Sequence, residues 1–368
     1  MKILNNKLAF KVTWACVFFF ILIAPFPGSA AEIDDGLAKC AGIKDDNAAR
    51  LKCFDELAKQ QTSAKDASSP GAVAATEPKE LAKESKPPSL MSKQWDLDVA
   101  KENLKGTFFK LKPYRPIYFL PVAYNSSPNE DAALDFDKNA KAQYNEAKFQ
   151  ISFKVKPWGT DIECIKGIKG IDVWFAYTQL AFWQLYNSAL SSPLRDTNYE
   201  PELLINFRTD YSIPGFDDFK VRYFNLGFNH QSNGRSAPLS RSWNRIVANA
   251  GLENNNFNLL LKTWYRIPED EANDDNPDIS RYMGYGELWG IYSWRGNRFA
   301  AMLRNNFRQE NLGAIQLDWS IPLSMIHKEL GNRFSFYIQY FNGYGESLLD
   351  YNKSINRISA GFMLADWN

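Results

Sequence analysis

The sequence predicts an all-β chain: an antiparallel transmembrane β-barrel of about twelve strands, behind a short disulfide-stapled N-terminal segment and a flexible linker. Three observations predict it. The chain opens with an export leader, period-two apolar segments recur from about Tyr114 to the end, and no run in that region is apolar for long enough to cross a membrane as a helix. The formal net charge of +1 is compatible with such a wall, because half of each strand is polar.

The leader occupies residues 1–30. Lys2 and Lys7 precede an apolar run from Trp14 to Ile23, and Gly28-Ser29-Ala30-Ala31 follow. A basic start, a short apolar core and small terminal residues make a secretory signal peptide. Cys16 lies inside the apolar core, which argues against a lipoprotein cleavage box.

Residues 31–60 hold Cys40 and Cys53 among helix-forming residues. In an oxidising compartment their default is a disulfide, and with neither histidine nearby a metal site is disfavoured. Residues 61–104 are rich in Ala, Ser, Lys, Glu and Pro, the composition of a flexible linker. Cys164 is expected to stay unpaired.

The barrel is expected over 105–368. Phe149, Ile151, Phe153 and Val155 alternate with Gln150, Ser152 and Lys154, and Phe334, Phe336, Ile338 and Tyr340 alternate with Arg333, Ser335 and Gln339. A soluble β-sandwich alternates too. Arg and Lys within the polar face, and aromatics near strand ends, favour a barrel with a wet interior and interfacial girdles. Twelve candidate strands run from 115–124 to 354–366, among them 199–209 and 281–293. Trp264, Tyr337 and Arg333 are expected to point inward and fill the lumen. With both termini periplasmic, the connections carrying 187–198, 233–242 and 269–280 share the outer rim, and His327 falls in a periplasmic turn.

Chemistry concentrates in one hairpin. The chain has two histidines, and His230 stands two residues from Ser232, on one face of an extended strand. The loop 233–242 then returns Asn244 alongside, so a nucleophile, a base and a group to hold the base converge. Phe224, Leu226 and Phe228 share the His230–Ser232 face. In a barrel that face meets lipid, so a phospholipid ester is the substrate that such a site can reach.

These residues carry a family resemblance. His230-x-Ser232-Asn233-Gly234-Arg235-Ser236, Ser240-Arg241-Ser242-Trp243-Asn244-Arg245, Thr197-Asn198-Tyr199-Glu200-Pro201, Asp274-Asp275-Asn276-Pro277-Asp278 and Gly343-Tyr344-Gly345-Glu346-Ser347 occur in order. The chain from about residue 105 thereby resembles the outer-membrane phospholipase A family. The resemblance implies a calcium-dependent, homodimeric acyl hydrolase of the bacterial outer membrane, its active site facing the outer leaflet. It would act on sn-1 and sn-2 esters and lysophospholipids.

By that resemblance Ser232 is the nucleophile, His230 the base, Asn244 the residue orienting the imidazole, and the Gly234 N–H an oxyanion donor. The same resemblance gives Ca2+ the Arg235 carbonyl, the Ser240 side chain and the Ser191 carbonyl of a second copy. A second calcium position would use Asp275, but Ala237 stands where its other acidic ligand belongs. Gln179 matches a polar dimer-interface residue. No nucleic-acid partner is expected. The alternative is a non-catalytic pore or anchor, which charged lumen positions such as Lys154, Lys262 and Arg304 would serve.

Overall fold

The structure, a computed structural model, describes residues 52–53, 88–131, 142–162, 165, 167–325, 328–329 and 334–364. The leader, Cys40, Cys164, His327 and Arg333 lie outside these residues. Cys53, in a short helical stretch with Lys52, is disulfide-bonded. The chain divides into two units, Met1–Glu84 and Ser85–Asn368, and the second holds the barrel.

The strands are β1 (Leu111–Pro113), β2 (Ile117–Asn125), β3 (Asn145–Asp161), β4 (Ile168–Trp183), β5 (Leu194–Ile213), β6 (Phe216–Ser232), β7 (Ser242–Asn254), β8 (Phe257–Arg266), β9 (Gly286–Trp294), β10 (Asn297–Asn305), β11 (Gly313–Pro322), β12 (Phe334–Gly343) and β13 (Ile355–Leu364). Each pairs antiparallel with its sequence neighbour from β2 onward, and β13 pairs with β2 to close the ring. β1 and β2 pair with successive parts of the same edge of β3, so the thirteen segments occupy twelve wall positions. From β2 to β13 each wall strand is paired on both sides, which is the condition for strands to cross lipid.

The period-two pattern divides inside from outside as expected. In β13, Arg357, Ser359 and Met363 are buried whereas Ile358 and Phe362 are about half exposed. Leu226, Phe228, Ile246, Leu261, Leu303 and Leu317 are likewise exposed around the wall. Such an apolar belt has its solvent in acyl chains.

The interior is polar and paired. Arg115 bridges Glu200 and Glu202, Lys148 meets Glu346 at 2.9 Å, and Arg357 joins Glu146 and Glu346 at 2.8 and 2.7 Å. These charges are paired with opposite ones, which is what makes their burial tolerable. The lumen charges that a pore would use are engaged: Lys262 with Glu287 at 3.1 Å, and Arg304 with the Tyr344 carbonyl at 2.5 Å. Trp264 and Tyr337 do fill the interior.

Three expectations change. The linker does not extend to residue 104. Ser89 caps helix α1 (Leu90–Trp95), accepting the Ser92 N–H at 3.2 Å, and Met91, Trp95 and Leu97 are buried among Trp174, Leu204 and Tyr223. Only three large apolar residues, spaced among Lys and Asp, carry this plug, so composition alone reads as linker. The candidate strand 281–293 also starts later. Ile279 and Met283, four apart, bury one face of helix α2 (Ile279–Met283), and Gly284 at φ +63° turns the chain into β9. β5, by contrast, begins earlier than residue 199, so Thr197 and Asn198 belong to the wall.

Candidate active site

The register of β6 and β7 assembles the hairpin. His230 lies opposite Asn244 and Ser232 opposite Ser242. The His230 imidazole and the Asn244 carboxamide meet at 2.9 Å, Nδ1 to Oδ1, with Nδ1–H donating to the carbonyl. A proton on Nδ1 leaves Nε2 unprotonated and able to accept one. Ser232 follows on the same outward face. Among the described residues, Ser232 and His230 make no direct hydrogen bond with each other, as is common before a substrate tightens such a site.

The inward face of the same strands is rigid. Arg245 donates to Glu200 at 3.0 Å and to Asn229 at 2.5 Å, and its guanidinium lies 4.1 Å from the Trp243 ring centroid. Asn229 also donates to Glu200 at 2.8 Å, and Trp243 donates to Gln231 at 2.8 Å. Residues 229, 231, 243 and 245 thus lock β5, β6 and β7 together from within, while 230, 232 and 244 are presented outside.

The loop after β6 is shaped by Asn233 and Gly234. Asn233 accepts the Arg235 and Arg241 N–H groups at 3.3 and 3.0 Å and donates to the Leu239 carbonyl at 2.8 Å, folding 233–241 on itself. Gly234 takes φ +65°, and a Cβ there would lie 3.1 Å from the Tyr199 ring. Its N–H donates to no group among the described residues. Arg235 reaches back to the Leu194 and Arg195 carbonyls at 2.6 and 2.8 Å, tying this loop to the start of β5, just after Ser191.

The expected calcium ligands separate into two places. Ser240 and Asp275 come together, Oγ donating to Oδ2 at 2.5 Å, although they derive from different loops. Ser191 lies in the connection between β4 and β5, with φ +57°. Asp274 is engaged elsewhere, in a two-pronged pair with Arg266 at 2.6 and 2.7 Å. Among the described residues no three His, Cys, Asp or Glu side chains form a metal cluster. A hydroxyl, an exposed carboxylate and nearby carbonyls are hard oxygen donors, and that set fits calcium. Gln179 is on the outward side of β4, its carbonyl accepting the Tyr177 hydroxyl at 3.2 Å.

One partner went unread in the sequence. Asn244 donates through Nδ2 to Glu269 at 3.0 Å. In sequence Glu269-Asp270-Glu271 is a charge run of the kind that usually solvates a loop.

A serine, an imidazole and a carboxamide thus share the lipid side of a closed barrel, the groups that a membrane-embedded ester hydrolase requires. Known proteins agree. A family model for phospholipase A1 matches residues 91–364. The phospholipase A1 of Klebsiella pneumoniae is 38% identical over 260 residues, 70% of this chain and 83% of that one. A putative phospholipase A1 of Neisseria meningitidis serogroup B is 35% identical over 286 residues, 75% and 70% of the two chains. The outer membrane phospholipase A structure from Escherichia coli superposes with a TM-score of 0.61 at 37% identity, covering 71% of this chain and 93% of that one. A Salmonella typhi outer membrane phospholipase, a dimer with bound calcium, gives 0.61 at 36% identity, covering 71% and 94%. The chain belongs to the phospholipase A1 family and is a phospholipase of the outer membrane.

Proposed function

We propose that the chain cleaves phospholipid acyl esters with Ser232 as nucleophile, His230 as base and Asn244 as the residue that orients the imidazole. The observation that carries this is the 2.9 Å contact between His230 and Asn244 on the face where Phe228 and Leu226 meet lipid. A phospholipid held in the leaflet brings its ester carbonyl to that level without leaving the membrane. With the connections 233–241 and 267–285 on the outer rim, the leaflet is the outer one.

His230 Nε2 takes the Ser232 proton as Oγ attacks the acyl carbonyl. The imidazolium then protonates the departing alcohol, and a water activated by the same nitrogen releases the fatty acid. The Gly234 N–H donates to the oxyanion. His230 and Ser232 stand on the outward face of β6, so sn-1 and sn-2 esters and lysophospholipids in the leaflet all have access.

The Arg235 carbonyl, Ser240 Oγ and the Ser191 carbonyl of a second copy would hold calcium, which when bound would supply positive charge to the site. Asp275, in contact with Ser240, adds a carboxylate to the same place rather than forming a separate site with position 237, where Ala237 has no ligand to offer. Two copies meet along β4, with Gln179 making a polar contact in an otherwise apolar interface. The Salmonella typhi relative, a dimer with bound calcium, supports calcium binding and pairing of two copies.

Fatty-acid release from detergent-dispersed phospholipid tests the reading, comparing wild type with Ser232→Ala in calcium and in chelator. Calcium-dependent release that disappears in the variant is expected. Release that survives Ser232→Ala would remove Ser232 from the chemistry.

A further inference from the structure

The geometry points to Glu269 as a fourth member of the site, a positioning residue that holds the Asn244 carboxamide and places a negative charge behind it. This inference rests on the reading of Ser232, His230 and Asn244 given above.

Four features of the chain bring Glu269 there. β7 and β8 stay in register to Arg245 and Arg266. One bond further, the Ile267 N–H donates to the Asn244 carbonyl at 2.8 Å, so the chain still runs alongside β7 after β8 has ended. Pro268 has no N–H to continue the ladder. Tyr265 faces lipid, 62% exposed, and Ile267 and Glu269 follow at the same two-residue spacing. The Glu269 carboxylate consequently reaches the outward Asn244, accepting from Nδ2 at 3.0 Å.

The consequence is chemical. A carboxamide can present either its oxygen or its nitrogen to an imidazole. Turned over, Asn244 would put its oxygen against the Glu269 carboxylate and its NH2 against Nδ1, which would then have to be the unprotonated nitrogen. Glu269 disfavours that orientation, so Oδ1 faces His230 and Nε2 stays the base. Hydrogen bonds in series also strengthen one another: a carboxylate on Nδ2 makes Oδ1 a better acceptor for the imidazolium proton. Among the described residues Glu269 makes no ion pair, so its charge is not cancelled. Arg266, the nearest basic residue in sequence, is taken up by Asp274.

In serine hydrolases whose third member is an aspartate, changing it to asparagine costs about ten-thousandfold in kcat. Glu269 acts through an intervening amide and is half-buried, so its share is smaller, about tenfold for Glu269→Ala and less for Glu269→Gln, which keeps a neutral acceptor.

The test is kinetic and uses the full-length calcium-loaded protein in detergent, with the heat-modifiable migration of the folded barrel as the folding check. Glu269→Ala is expected to lower kcat about tenfold with KM unchanged, and to slow labelling of Ser232 by an alkylsulfonyl fluoride in step. Asn244→Asp provides the second readout. Beside Glu269 it sets two carboxylates face to face. In a Glu269→Gln background the glutamine amide donates to the new carboxylate instead, so the double variant is expected to be about tenfold more active than Asn244→Asp alone. Unchanged kcat in folded Glu269→Ala, or simple multiplication of the two single effects in the double variant, would overturn the role of Glu269. Hydrolysis that survives Ser232→Ala would instead overturn the underlying triad, and this inference with it.

Discussion

The Lys154 ammonium lies 3.0 Å from the centroid of the Trp95 ring, and its Nζ has no hydrogen-bond partner among the described residues. Trp174 and Tyr114 complete the cage, with centroids 4.8 and 5.4 Å from the same nitrogen. A buried cation is therefore held by π faces instead of a carboxylate. Because Trp95 belongs to α1 and Lys154 to β3, this contact fastens the N-terminal plug inside the barrel. Trp95→Ala removes both the packing and the cation's principal partner, and is expected to destabilise the fold by about 3 kcal/mol. Trp95→Phe, which keeps a π face, should lose less. Denaturant unfolding in detergent measures both.

Gly234 and Tyr199 constrain each other. A side chain at 234 meets the Tyr199 ring and must also adopt φ +65°. Gly234→Ala is expected to displace the N–H assigned to the oxyanion and lower kcat roughly 100-fold, with little change in the unfolding midpoint. Adding Tyr199→Leu relieves the clash but not the backbone strain, so recovery should be partial. Steady-state hydrolysis of the single and double variants separates the two contributions.

The contact between Ser240 and Asp275 makes a calcium prediction. Asp275→Asn removes a full charge from the donor set, and is expected to raise the calcium concentration for half-maximal activity about tenfold while leaving activity at saturating calcium close to wild type. Ser240→Ala should raise it as well. A calcium titration of hydrolysis reads both, and an unchanged titration in Asp275→Asn would exclude that carboxylate from the metal.

Asp350 predicts how acid opens the rim. It sits in the connection between β12 and β13, where burial pushes its carboxyl up but the Arg195 guanidinium at 2.7 Å and hydrogen bonds from Asn129 and Ser347 hold it below its ordinary value of 3.8. A carboxyl whose folded value is depressed stabilises the structure above its unfolded value and loses that contribution as pH falls through the folded one. Protease resistance of residues 344–354 is thus expected to hold at pH 7 and to fall below about pH 4. Asp350→Asn should be more open at pH 7 and show less change with acid.

How much of this was legible follows from where the signal lies. The alternation of Arg357, Ser359 and Met363 with Ile358, Phe362 and Leu364 is a local property, and it specifies which side of the wall each residue takes. His230, Ser232 and Asn244 were legible because a hairpin needs only a short loop to bring them together. Glu269 was not, because its place depends on β8 staying in register with β7 beyond its last paired residue. The plug escaped for a related reason. Met91, Trp95 and Leu97 are too few to mark a helix against a polar background, and only the cavity that receives them shows what they do.

The sequence by itself determined the barrel, its number of wall positions, the face that meets lipid and the residues of the hairpin. Each depends on two-residue periodicity or on neighbours a few residues apart. Only the tertiary structure decided that Ser240 meets Asp275, that Trp95 covers Lys154 and that Glu269 backs Asn244. Those contacts join loops and strands distant in sequence, and their geometry is set by closing the barrel, which no local pattern encodes.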